Sequence, residues 1–209
     1  MIFSINLDAL QAFTRGYLAI FFTCVAVFYT LRIVLSKRKH GEELIFPGQA
    51  YCGDWWNHMA FRVFRITIWL VCLIRWPWPQ ADSYLGILQP LYQNSTVIII
   101  GTALMTGGFI SAALINLNLN RHWRSGIDRQ GPQLLQTQGV YSISRNPMFV
   151  GVGIAQLGFF MALPSAFSLL CLIVGWLTLY RQTQAEEAHL CSVFGERYRT
   201  YQRQVRRWL

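Results

Sequence analysis

The sequence predicts an all-α, polytopic integral membrane protein with about five transmembrane helices. Of the 209 residues, 54% are hydrophobic and only 13% are charged, whereas a soluble domain carries about 25% charged residues. The apolar residues also fall in runs that approach the ~20 residues a helix needs to cross the hydrocarbon core of a bilayer. This composition argues against a soluble globular enzyme and against a disordered chain.

Three apolar segments and one longer one supply the predicted spans. The first three are residues 13–35, residues 59–76 and a segment with its core at residues 95–117. The fourth, residues 146–180, lacks charge and is too long for one ordinary span. Because Pro164 cannot continue a regular helix without a break, we expect a hairpin with arms at residues 148–163 and 166–182. Five full spans, or three spans with a re-entrant hairpin, fit this pattern.

The placement of basic residues predicts the orientation in the membrane. Of 18 Lys and Arg residues, all but Arg15 and Arg75 fall on one side of this layout. The positive-inside rule then places the N-terminus outside and the C-terminus in the cytosol. The net charge of +9 is therefore interpreted as a signal of topology, and no binding of nucleic acid is expected.

The chain is predicted to form one membrane domain over residues 1–209, with N-terminal spans in residues 1–120 and a loop, hairpin and tail in residues 121–209. In the tail, apolar residues recur at helical spacing, which predicts a cytosolic amphipathic helix on the membrane surface or over the mouth of the bundle: Phe194, Tyr198, Tyr201, Val205 and Trp208. The odd number of cysteines and the absence of a CxxC pair favour free thiols, and no metal site is expected.

Two short polar segments stand out as places where chemistry is expected. Arg145 precedes Pro147, which suits the first turn of a helix, and the amino end of a helix binds anions. The alternative is an ordinary basic anchor at a helix start. Glu186 and Glu187 follow the last predicted span, where carboxylates are costly unless they are solvated or paired. They are either a solvated helix surface or a site for a cation or for sugar hydroxyls.

These segments carry a resemblance to a known family. The relevant strings are Gly139-Val140-Tyr141, then Arg145-Asn146-Pro147-Met148-Phe149-Val150-Gly151, and the tail from Glu186-Glu187 to Arg207-Trp208. In order and spacing they resemble the isoprenylcysteine carboxyl methyltransferases, their bacterial relatives and the phospholipid methyltransferases. The similarity covers roughly residues 131–209, and the form Arg-Asn-Pro-Met is similar to that of the bacterial branch, which implies the plasma membrane of a bacterium.

The resemblance implies a membrane enzyme that uses S-adenosylmethionine to methylate a lipophilic or membrane-accessible acceptor, such as a prenylcysteine-like carboxylate, a thiol or a lipid head group. It implies a cofactor pocket at the cytosolic face, lined by Gln133, Leu134, Leu135, Gln136, Tyr141, Asn146, Pro147, Met148, Phe149, Glu186 and Glu187. Either Arg145 or the backbone amides at the amino end of the next helix are expected to hold the cofactor carboxylate, and Arg181 is expected to orient an anionic acceptor. An apolar acceptor is expected to enter between the third span and the hairpin.

The chain departs from the prenylcysteine enzymes at three positions. They usually carry His where this chain has Asn146, Tyr where it has Phe149, and a substrate-side arginine where it has Gln182. Two other readings stay open at this point. Sterol-type reductases that use NADPH carry a block similar to the Arg145–Phe149 string, and a membrane scaffold without activity needs only that these polar residues be anchors.

Overall fold

The computed structural model describes residues 6–40, 45–119, 125–127, 131 and 134–209. Within them the chain forms seven α-helices, which are α1 (Leu7–His40), α2 (Gly53–Arg75), α3 (Gln89–Tyr92), α4 (Ser95–Leu119), α5 (Pro147–Ala162), α6 (Ala166–Phe194) and α7 (Glu196–Gln204). Two-residue strands, β1 (Ile45–Phe46) and β2 (Ser125–Gly126), pair in parallel. The predicted all-α fold class is confirmed.

Four of the helices are long and apolar enough to cross a membrane, namely Leu7–Leu35 within α1, and α2, α4 and α6. The fifth apolar helix, α5, has only 16 residues, which is ~24 Å and short of the ~30 Å core. The helix that contains the last predicted span extends beyond residue 182, because α6 continues to Phe194. Gly175 lies within α6 without breaking it, and the helix ends only at Gly195, whose φ is 51°. Glu186 and Glu187 therefore lie within a helix and do not follow it.

The predicted hairpin between α5 and α6 is confirmed, with its turn at Pro164 and Ser165. The Ser165 hydroxyl accepts a hydrogen bond from the backbone N–H of Ser168, while the Ser168 hydroxyl accepts one from the N–H of Ser165, a capping box that begins α6. The backbone N–H of Leu88 donates to the carbonyl of Pro164 at 2.9 Å. The hairpin turn is thus fixed to the loop that precedes α4.

Glycines allow the backbones of α4 and α5 to come into direct contact. A Cβ atom placed on Gly108 would lie 2.6 Å from the backbone nitrogen of Ala155, and one on Gly101 would lie 2.5 Å from that of Ala162. Small residues permit this approach between membrane helices. The α4–α5 seam is therefore closed by backbone contact at these positions, which argues against the predicted entry of an apolar acceptor between α4 and α5.

Replacing Gly108 with Ala is expected to destabilise the protein by about 1–3 kcal/mol, the usual cost of overpacking a close helix contact. The neighbouring Gly107 has no atom within 4 Å of its added Cβ, so Gly107→Ala is the matched control and should leave the unfolding temperature unchanged or slightly raised. Thermal unfolding in detergent, followed by tryptophan fluorescence, measures both. Equal unfolding temperatures for the two variants would contradict the close α4–α5 packing.

The tail is only partly helical. The predicted amphipathic helix ends at Gln204, because Val205 adopts an extended conformation with φ of −122° and ψ of 135°. Beyond it, the carbonyl of Arg206 accepts a hydrogen bond from the N–H of Arg145 at 2.9 Å, and Ser144 bridges to Arg206. Helix α7 itself packs through buried Tyr198 and Tyr201. The tail is therefore hydrogen-bonded to the segment that precedes α5.

At the opposite end of the bundle, Asp82 binds Arg15 and Arg75, the two basic residues that were predicted to lie on the other side of the membrane from the rest. Arg15 donates to Asp82 at 3.2 Å, Arg75 donates to its other oxygen, and the Tyr92 hydroxyl donates at 3.2 Å. Burial alone would raise the pKa of Asp82, but the hydrogen bonds and charges of the two arginines outweigh it and lower the pKa below its usual value. This ion cluster ties α1, α2 and the loop before α4 together.

Candidate functional site

A buried carboxylate, Glu187, lies where α5 begins, α6 ends and the tail crosses. Its side chain is 5% exposed. Arg145 donates to it from Nε at 3.1 Å and from Nη2 at 3.2 Å, and Asn146 donates from Nδ2 at 3.2 Å. Arg207 completes the set, with Nη2 2.9 Å from the carboxylate. Buried charge persists only when it is paired and hydrogen-bonded, and Glu187 meets both conditions.

Arg145 also donates hydrogen bonds to the tail. Its Nη1 donates to the carbonyl of Gln202 at 3.0 Å and to that of Val205 at 2.8 Å. Both carbonyls lie at the end of α7, where helix carbonyls lack partners of their own. The arrangement makes Arg145 a clamp between α6 and α7, whereas the sequence predicted a group that faces a ligand.

Glu186, the neighbour of Glu187 on α6, has different surroundings. Within the described part of the chain it accepts one hydrogen bond, from Nε2 of Gln182 at 2.9 Å, and its side chain is half-buried. No arginine neutralises it there. A carboxylate ion can accept hydrogen bonds at several lone pairs, so Glu186 keeps acceptor capacity that Glu187 has used.

Tyr141 is the residue of the predicted pocket that the structure brings near Glu186. Burial, followed by the electrostatic interactions with Glu186 and Tyr201, raises the pKa of Tyr141 to about 12. Its phenol is neutral at physiological pH. Its backbone carbonyl accepts a 2.6 Å hydrogen bond from the hydroxyl of Tyr201 on α7, which fixes the turn at Gly139–Ser142 beneath the tail.

Of the four residues at positions 133–136, which were predicted to line the cofactor pocket, those that the structure describes differ in their exposure. Gln133 lies outside the described residues. Leu135 is 6% exposed and packs against Tyr198 and Tyr201, so its side chain is part of a small core. Leu134 is 53% exposed, and Gln136 is half-buried.

The start of α5 presents backbone donors. Pro147 is the first helical residue, and Asn146 precedes the helix without capping it, because its amide binds Glu187 and the carbonyl of Arg207. The N–H groups of Met148 and Phe149 thus receive no side-chain cap, and the first turn of a helix has free donors and a positive dipole end. Arg181, by contrast, is exposed on α6.

Asn57, at the start of α2, was missed from the sequence. It is 9% exposed and donates to the carbonyl of Thr178 at 3.1 Å and to Oε1 of Gln182 at 3.5 Å. The second span was predicted to begin at residue 59, after Asn57, whereas α2 begins at Gly53. An asparagine among the apolar and aromatic residues that follow was the signal available, since polar side chains inside membrane helices usually have a function.

Glu186, Tyr141 and the first turn of α5, together called the corner, carry groups that suit a polar ligand with mixed charge. An acceptor carboxylate suits hydroxyl or ammonium donors, free backbone N–H groups suit a carboxylate, and an aromatic ring face attracts a cation. The described residues contain no group of three or more His, Cys, Asp or Glu side chains arranged to hold a metal. Within them, the chemistry available at this corner is binding and orientation.

Comparison with known proteins points to methyl transfer. The family model of phospholipid methyltransferases matches residues 96–197, which run from the start of α4 into α7. A Protein-S-isoprenylcysteine O-methyltransferase of Schizosaccharomyces pombe is 26% identical over 200 residues, covering 88% of this chain and 80% of the relative. The match to the phospholipid methyltransferase model includes Tyr141, the start of α5 and Glu186. The chain is an integral membrane methyltransferase, similar to the phospholipid methyltransferases over residues 96–197 and to an isoprenylcysteine methyltransferase over most of its length.

Proposed function

We propose that the protein uses S-adenosylmethionine and transfers its methyl group to a lipophilic acceptor at the corner formed by Glu186, Tyr141 and the first turn of α5. The observation that carries this proposal is the contrast between two adjacent glutamates. Glu187 is neutralised by arginines, and Glu186 accepts one hydrogen bond within the described residues. A half-buried carboxylate that still has lone pairs available is suited to accept hydrogen bonds from a ligand.

Each part of the corner suits one part of the cofactor. Glu186 would accept hydrogen bonds from the ribose hydroxyls or the amino group, and the N–H groups of Met148 and Phe149 would hold the carboxylate. The ring of Tyr141, neutral because its pKa is high, would face the cation. The cofactor supplies a methyl group on a positive sulfur, which leaves the chain to bind, orient and exclude water.

Arg145 takes a positioning role in this proposal. It fixes the tail through Glu187, Gln202 and Val205, and thereby holds the turn of Tyr141 against α6. Its predicted contact with the cofactor carboxylate is replaced by the N–H groups of α5. Arg181, which is exposed on α6, stays our proposal for orienting an anionic acceptor, and its test is the KM for that acceptor.

The acceptor is proposed to arrive from the bilayer. The fungal relative is named for methylating isoprenylcysteine, and an apolar substrate of that kind partitions into lipid. Because the α4–α5 seam is closed, we propose access along α6 on the side of α2, where Asn57 and Gln182 lie. The basic residues at this end of the bundle support a cytosolic orientation of the site.

Titration of the detergent-purified protein tests the cofactor. We expect saturable binding of S-adenosylmethionine and S-adenosylhomocysteine, with no binding of NADPH. Transfer of a labelled methyl group to a lipid extract, to small thiols or to a prenylcysteine analogue then identifies the acceptor. Binding of NADPH without S-adenosylmethionine would indicate a reductase, and binding of neither would indicate a scaffold; either result would overturn the proposal.

A further inference from the structure

We infer that Asn57 is a positioning residue for the cofactor site, which sets the orientation of Glu186 through the amide of Gln182. This inference rests on the proposed role of Glu186. It adds a helix, α2, from the part of the chain that the sequence assigned to membrane spans alone. The three side chains form a line from α2 across to α6.

The line begins at a group whose role in hydrogen bonding is fixed. The backbone carbonyl of Thr178 can only accept, so the Asn57 atom 3.1 Å away must be its amide nitrogen. The same nitrogen has a second N–H, which lies 3.5 Å from Gln182 and must meet an acceptor there. The carbonyl oxygen of the Gln182 amide therefore faces Asn57.

This orientation turns the Gln182 amide nitrogen toward Glu186, 2.9 Å away. Residues 178, 182 and 186 are spaced by four along α6 and share one face of the helix. Were the Gln182 amide reversed, its oxygen would face the ionised carboxylate of Glu186, and two acceptors would repel each other. Asn57 thus determines which end of Gln182 meets Glu186.

Burial makes the choice of orientation costly to change. Asn57 is 9% exposed and its Oδ1 is buried without a hydrogen-bond partner among the described residues. Leaving a buried acceptor unpaired is unfavourable. This cost is offset because both N–H groups of the Asn57 amide donate hydrogen bonds.

The test is Asn57→Asp, which preserves shape and removes both N–H donors. The carboxylate can only accept, so it draws the amide nitrogen of Gln182 toward α2 and turns the oxygen toward Glu186. We expect the dissociation constant of S-adenosylmethionine to rise by about tenfold, the effect of one lost charge-assisted hydrogen bond. Gln184→Glu is the control, because it adds the same charge two residues before Glu186 on the exposed face of α6 and should leave the constant unchanged.

A second variant separates positioning from folding. Gln182→Met should raise the same constant by a similar factor, and Asn57→Asp should add nothing further in that background. An unchanged constant in either single variant overturns the inference, as does a fall only in the number of binding sites. Independent, additive effects overturn it too. If the wild-type protein itself fails to bind S-adenosylmethionine, the proposed function falls; if it binds and the variants bind equally well, only the role of Asn57 falls.

Discussion

Replacing Glu187 with glutamine is expected to destabilise the protein by about 3 kcal/mol, because removal of one partner leaves buried charge without compensation. Arg145 would lose its counterion while its side chain is 10% exposed. The tail would lose its attachment to α6, since Arg145, Asn146 and Arg207 all meet on Glu187. Thermal unfolding in detergent, with tryptophan fluorescence as the signal, should show a fall of several degrees in the midpoint.

A surface ion pair provides the control for this prediction. Glu196 pairs with Arg199 on α7, and their side chains are 71% and 58% exposed. Such pairs contribute little in water, so Glu196→Gln should leave the midpoint where it is in the wild-type protein. A similar midpoint for Glu187→Gln and Glu196→Gln would show that the Glu187 cluster does not hold the tail.

Replacing Glu186 with glutamine is expected to lower kcat/KM for methyl transfer by about a hundredfold, equivalent to ~2–3 kcal/mol of binding to a charged acceptor. The unfolding midpoint should stay the same or rise, because a half-buried carboxylate with one protein donor is replaced by a neutral amide. The initial rate of labelled methyl transfer, measured over a range of cofactor concentrations, gives the kinetic value.

The pattern across the two glutamate variants is the informative result. Glu187→Gln should lower stability, and Glu186→Gln should lower activity in a protein that remains as stable as the wild type. If Glu186→Gln kept full activity, or lost activity only in proportion to a loss of folded protein, the assignment of Glu186 to cofactor binding would be wrong.

Much of the fold could be predicted because membrane helices follow from local composition. The apolar segments gave α1, α2, α4 and the hairpin, and Pro164 marked the turn. The ends of the helices were less accurate, since polar residues extend a helix beyond the apolar run. This is why α6 reaches Phe194 and why α2 begins at Gly53. Hydropathy detects the part of a helix in lipid, and hydrogen bonding continues past it.

The sequence suggested candidate residues for the site, but it could not show which residues would be their partners. Adjacent Glu186 and Glu187 look equivalent in a sequence, although a rotation of ~100° per residue sends them to different neighbours. Glu187 meets Arg145 from 42 residues away and Arg207 from 20 residues away. Such pairings depend on how the tail folds back, which the spacing of residues does not contain.

Asn57 is a residue whose contacts could not be predicted from the sequence at all. It lies 125 residues before Gln182, in a part of the chain that the similarity in sequence motifs did not include. Only the packing of α2 on α6 brings the two amides together. The closed α4–α5 seam was likewise hidden, because small residues in a predicted span indicate close packing without naming the partner helix.

The most direct test of the proposed cofactor site is the equilibrium dissociation constant of S-adenosylmethionine for the wild-type protein and for Glu186→Gln, measured in the same detergent. The wild-type protein should bind with one saturable site, and the glutamine variant should bind at least about tenfold more weakly while it unfolds at the same temperature. Equal affinity in the two proteins would contradict the placement of the cofactor at Glu186.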